Sequence, residues 1–145
     1  MKYRAMLLVT WVALLSLTGC MGLFHPQAKE IYSQAKGPNA QQTALTLVGL
    51  MESSAQQAKT ELGESQGLEN LHNQFHAFHH SLCDFSEEQQ ATTAYEQAVT
   101  LNKELQTVFH RLWKFKNDTS LRTVHLDLML SRIRELHSVL QAMPV

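Results

Sequence analysis

The chain has 145 residues, 44% of them hydrophobic and 17% charged, with a formal net charge of −1. That length suits one domain with its own core, and the near-neutral balance excludes a strongly basic surface and with it nucleic acid as a partner. No C-x-x-C-H haem-attachment signature, glycine-rich phosphate loop or serine-nucleophile elbow occurs, so no catalytic constellation is legible and no enzymatic activity is expected.

Lys2 and Arg4 give the N-terminus a short positive region, and Ala5 to Leu17 is an apolar run broken only by Thr10 and Ser16. The run is too short to serve comfortably as a permanent membrane span and has the make-up of a secretory leader. It ends in Leu17-Thr18-Gly19-Cys20, where small residues lead directly to a cysteine. The alternative is a membrane anchor that is never cut.

These four residues resemble the lipobox of bacterial lipoproteins. The resemblance covers residues 1–20 alone. It implies that residues 1–19 are removed, that the Cys20 thiol is acylated, and that Cys20 becomes a lipid-bearing N-terminus holding the protein to a membrane. Met21 and Gly22 follow, with no Asp after the cysteine. In the enterobacterial sorting pattern this favours the outer membrane, with the protein facing the periplasm. Residues 20–25 would then be a lipidated tether and residues 26–145 the folded domain.

Without Lys2 and Arg4 the chain carries ten basic against thirteen acidic side chains, a net of −3. The charges are uneven: Lys29, Lys36 and Lys59 face nine acids over residues 20–100, whereas residues 101–145 carry seven bases and four acids. Opposite charge in the two parts favours their contact, although exposed pairs are individually weak. With Cys20 acylated, Cys83 is the one thiol left.

The helical pattern begins at Pro26, which fits a first turn because its missing N–H has no partner there in any case. A short helix to Lys36 turns Ile31, Tyr32 and Ala35 inward and stops at Gly37. A second helix runs from Ala40 to Leu62, with Ala44, Val48, Met51, Ala55, Ala58 and Leu62 on one stripe. So much alanine lets a neighbouring helix approach closely. Gly63 to Gly67 interrupts the pattern, and a third helix from Leu68 to Cys83 presents Leu71, Phe75, Phe78 and Leu82. Ser86-Glu87-Glu88-Gln89 matches a capping box and opens a fourth helix reaching Lys116. Its stripe is Ala91, Ala94, Tyr95, Ala98, Leu101, Leu105, Val108, Phe109, Leu112 and Trp113. Asn117 to Ser120 is a turn able to cap the fifth helix, Leu121 to Ala142, whose inward set is Leu121, Leu128, Met129, Leu136 and Leu140. No period-two strand pattern is convincing. The expectation is an all-α up-and-down four-helix bundle with a short extra N-terminal helix, since short connections make sequential helices antiparallel neighbours.

His72, His76, His79, His80 and Cys83 fall on the third helix, most of them within roughly 60° on a helical wheel. Ligands four residues apart on a helix can share a metal ion, and imidazole with thiolate suits Zn or Cu. The competing reading is a polar shoulder beside the Leu71/Phe75/Phe78/Leu82 face. On the fifth helix, His125 sits near the middle of the apolar stripe with Arg132 close to the same line. Both need partners if buried. Three readings are open for this pair: an internal contact with an acid such as Glu52 or Glu96, a face for a partner protein, or a metal or haem site completed with the third helix. His110 and His137 fall on polar sides. The functional expectation is a lipid-anchored binding, scaffold or assembly protein of the bacterial envelope, with an envelope protein as partner. The alternative is a Zn- or Cu-binding lipoprotein.

Overall fold

The computed structural model describes residues 26–144, so Cys20 and the leader lie outside the described residues. Those described residues are all-α, with no strand. We label the helices α1 (Pro26–Ala35), α2 (Ala40–Thr60), α3 (Gln66–Ser81), α4 (Glu87–Gln90), α5 (Thr93–Lys114) and α6 (Thr119–Gln141); a 3-10 turn, Leu82–Asp84, follows α3.

Each long helix starts where a short polar side chain satisfies an orphan backbone N–H. Asn39 accepts from Gln42 N–H, Ser65 from Leu68, Thr92 from Tyr95 and Asp118 from Leu121. The Ser86–Gln89 capping box forms as expected, yet the helix it opens lasts one turn. The hydroxyl of Thr92 offers the backbone a second start, a local competition typical of threonine. The fourth helix is therefore two helices, and Ala91 is exposed at the break instead of lying in the core.

Packing runs around a ring. α2 lies between α3 and α6 with extensive contacts to both, α5 packs as extensively on α6, and α3 meets α5 along a much thinner seam. Sequential long helices are neighbours and α2 also meets α6, which is the up-and-down four-helix arrangement. α1 lies across α3 and α2. Tyr32 Oη donates to Asp84 and Asn73 Nδ2 donates to Gln27 Oε1 at 2.8 Å, which fastens α1 to both ends of that contact.

The core contains Leu47, Met51, Leu71, Phe78, Leu105, Leu112, Met129 and Leu136, all inaccessible to solvent. The small residues of α2 act as expected. A β-carbon on Gly67 would stand 2.7 Å from the Ala58 backbone nitrogen and 2.9 Å from the Ser54 carbonyl oxygen, so α3 begins against the bare backbone of α2. Gly63, at φ +66°, makes the turn between them, a conformation that side chains with a β-carbon disfavour.

Three inward assignments are corrected. α2 ends at Thr60, and Leu62 is 75% exposed in the loop. Leu121 and Leu128 point outward, while Leu126, Leu130 and Ile133 fill the core from α6. α6 carries apolar residues on two faces, and the two sets are not separable until a neighbour selects one. The uneven charges meet across the bundle in the Lys116–Glu64 and Arg134–Glu52 pairs at 3.1 and 2.8 Å, while Lys59–Asp127 at 2.6 Å pairs in the opposite sense. These pairs are solvent-facing and individually weak. Among the described residues, no helix is long and apolar enough to cross a membrane.

Candidate functional site

The thin α3/α5 seam leaves a cleft of about 390 Å³. α3 contributes His72, Phe75 and His76, spaced i, i+3 and i+4; α5 contributes Gln106, Phe109, His110 and Trp113, spaced i, i+3, i+4 and i+7. Those spacings put one stripe of each helix on the seam. Phe75 and Phe109 are buried and meet edge to face at 5.5 Å, and Trp113 continues the row at 5.9 Å from Phe109. Three imidazoles rim this aromatic floor. The Lys116 ammonium lies 4.2 Å above the Trp113 ring, a cation–π contact, and also pairs with Glu64.

The histidine stripe splits in three directions. His72 and His76 face the cleft with their Nε2 atoms 3.2 Å apart, and His72 stacks on Phe109 at 5.8 Å and 12°. His79 Nδ1 accepts from Asn102 Nδ2 on α5 at 3.3 Å. His80 turns the other way and meets the edge of Tyr32 on α1 at 5.0 Å. Cys83 is half-buried in the 3-10 turn that follows α3. The chain's other cysteine, Cys20, lies outside the described residues. Among the described residues, no group of three or more His, Cys, Asp or Glu side chains converges as a metal site.

His125 is half-buried, stacks on Phe115 at 6.0 Å, and leaves Nδ1 without a hydrogen-bond partner among the described residues. The acid suggested for it, Glu52, is engaged by Arg134. Arg132 is not a buried guanidinium. It lies at the surface between Glu104 and Glu135, at 3.3 and 2.6 Å, and its hydrogen bond to Glu135, with the charges of both acids, raises its pKa. A further polar groove between α5 and α6 is lined by this cluster. His110 is exposed as expected, whereas His137 is half-buried.

Among the described residues the buried cation is Arg122, 2% exposed, which the sequence reading passed over. Its guanidinium donates to the carbonyls of Ala58 at 2.7 Å, Lys116 at 3.1 Å, and Gly63, and reaches Ser65 Oγ at 3.4 Å. It thereby takes one carbonyl in the last turn of α2, where positive charge is favoured, and ties the α2–α3 loop to the end of α5. Burial lowers its pKa, and the nearby Glu61 charge opposes that shift. Glu61 in turn accepts the Gly67 N–H at 3.0 Å, which is the largest of the contacts holding its carboxyl below the usual range. An Arg four residues after the Asp118 cap, at the end of the first turn of α6, is the only sequence signal that pointed there.

The chain matches no protein-family model, no curated protein and no solved structure.

Proposed function

We propose that this chain is a lipid-anchored binding protein of the bacterial envelope, holding a protein partner through the α3/α5 cleft. The observation that supports the reading best is the open seam itself. A four-helix bundle ordinarily closes all four of its helix contacts, and here one is left as an aromatic groove rimmed by imidazoles. An apolar cleft with a few polar groups at its edge is the usual form of a binding site. A partner segment carrying one aromatic or branched aliphatic side chain fits the Phe75–Phe109–Trp113 floor, and His72, His110 and Gln106 offer hydrogen bonds at its mouth. The proposed role is retention or assembly of that partner, with no chemical step.

The anchor is proposed from Leu17-Thr18-Gly19-Cys20, with the outer membrane, periplasmic face, as the location. Six tether residues reach at most about 20 Å. The Gln27–Asn73 contact sets the start of α1 beside the middle of α3, so the tether would hold the α1/α3 side of the bundle close to lipid. A thioether at Cys20 and a disulfide at that same sulfur exclude one another, and intact-mass measurement of protein from native membranes separates the two. The expected mass is that of residues 20–145 with acyl chains. A retained leader or a Cys20–Cys83 cross-link refutes the anchor.

The cleft is tested by photocrosslinking in intact cells, with a benzophenone amino acid at Gln106 or His110 and, on the far side, at Ser131 or Thr123. A discrete adduct from the cleft positions alone is expected. The same adducts from both sides, or none from the cleft, would refute the docking role.

A further inference from the structure

The His72–His76 pair has a second capacity, independent of the partner. The two Nε2 atoms stand 3.2 Å apart. Two imidazole nitrogens bound to one tetrahedral ion at about 2.0–2.1 Å are separated by roughly 3.3 Å. The pair therefore already has the spacing that a tetrahedral cation such as Zn²⁺ imposes on two of its ligands.

Three further features bear on whether this spacing is held. Both residues lie within α3, four positions apart on a continuous helix, so their Cα positions are fixed by the backbone hydrogen bonds of one turn. The His72 ring is stacked nearly parallel on Phe109, which limits its rotation. Both side chains are exposed, so an ion can reach them without opening the bundle. The contrasting account is a simple hydrogen bond in which one Nε2 carries a proton and the other accepts it. When a cation binds, that proton moves to Nδ1 of the same ring, and both Nε2 lone pairs are then free to bind the ion.

We propose that His72 and His76 form a two-imidazole site for Zn²⁺ or Cu²⁺ at the mouth of the α3/α5 cleft. Two protein ligands leave the remaining coordination positions to water or to a donor atom on a bound partner, since no third His, Cys, Asp or Glu joins them among the described residues. The site is therefore of the open, exchangeable kind. Nitrogen donors without thiolate favour Cu²⁺ over Zn²⁺, following the general order of divalent affinities. Cys83 lies beyond the end of α3, in the 3-10 turn, and does not take part. His79 and His80 also stand outside the site, because Asn102 and Tyr32 hold them toward other helices.

The test is titration of the full chain, purified without a polyhistidine tag in detergent, with Cu²⁺ and separately with Zn²⁺, followed by calorimetry. One equivalent binds saturably, with Cu²⁺ tighter. His72→Ala and His76→Ala each weaken binding at least about tenfold, the scale on which even outer-shell changes act at metal sites. His79→Ala and His80→Ala leave it unchanged. Long-range proton–nitrogen NMR with Zn²⁺ shifts the Nε2 resonances of His72 and His76 together. Circular dichroism confirms that the variants fold, which is expected because both imidazoles are exposed. Unsaturable binding, equal binding in His72→Ala or His76→Ala, or Zn²⁺ shifts confined to other histidines would overturn the proposal. Photocrosslinking of the partner reads a different event, so either result can fail without the other.

Discussion

Arg122 gives the sharpest test of how this bundle is held together. Its guanidinium is 2% exposed and donates to three carbonyls, one in α2 and one in each of two loops. The Ala58 bond is buried, and losing a charged donor there costs about 2 kcal/mol. The Gly63 and Lys116 carbonyls are nearer solvent, so water can replace part of each bond, at about 0.5 kcal/mol apiece. Arg122→Met, which keeps most of the aliphatic bulk, should lose about 3 kcal/mol. Arg122→Ala should lose about 4 kcal/mol, because a cavity is added. For a domain of this size 3 kcal/mol corresponds to a fall in Tm of roughly 10–15 °C. Opposing this, burial disfavours the guanidinium charge, as its lowered pKa records, and an apolar replacement escapes that penalty. Urea unfolding followed by circular dichroism measures the balance. A loss under about 1 kcal/mol in Arg122→Met would show that desolvation cancels the hydrogen bonds and that Arg122 is not what secures the two loops.

Gly67→Ala forces its methyl into the α2 backbone at 2.7 Å; the helices must part, and a loss of about 2–3 kcal/mol in the same assay is expected. Equal stability would mean that α3 does not seat on Ala58 as described. On α6, Leu126→Ala should cost about 2–4 kcal/mol and Leu128→Ala less than about 1 kcal/mol, since Leu126 is 1% and Leu128 40% exposed. The reverse order would restore the inward face first expected from the sequence. The Glu61 carboxyl has a folded pKa below its ordinary 4.5, chiefly through the Gly67 N–H. Its contribution to stability is therefore complete above about pH 4.5 and disappears as pH falls through the lower folded value. Glu61→Gln should flatten that part of the acid-unfolding curve, and an unchanged slope would count against the contact. Tyr32, raised to about 12 by burial first and by the Asp84 hydrogen bond and charge, should ionise well above the ordinary phenol when followed by ultraviolet absorbance. Its stabilising effect is present below pH 10 and is lost as pH rises through about 12.

The histidines show most clearly how local pattern and tertiary placement divide the work. Spacing four apart on a helix is a local property, so the His72–His76 approach was legible before any fold was known. Whether His79, His80 and Cys83 join them depends on what stands opposite. Asn102 and Tyr32 draw His79 and His80 away, and Cys83 sits past the end of α3 in the 3-10 turn. The cleft was half legible: Phe75, Phe109 and Trp113 read as core, which Phe75 and Phe109 are. That the α3/α5 contact is thin while α2 and α6 pack extensively on their partners is visible only in the assembled bundle.

Sequence periodicity and capping residues by themselves determined that this chain is helical, where most of its helices start, and that α2 offers a small-residue face. These are consequences of backbone hydrogen bonding and side-chain spacing within a few residues. Tertiary structure alone decided which of two apolar faces of α6 is buried, that Arg122 and not Arg132 is the interior cation, and which seam is left open. Each of those outcomes depends on groups far apart in the chain, Ala58 with Arg122 or His72 with Phe109, which no local pattern brings into contact.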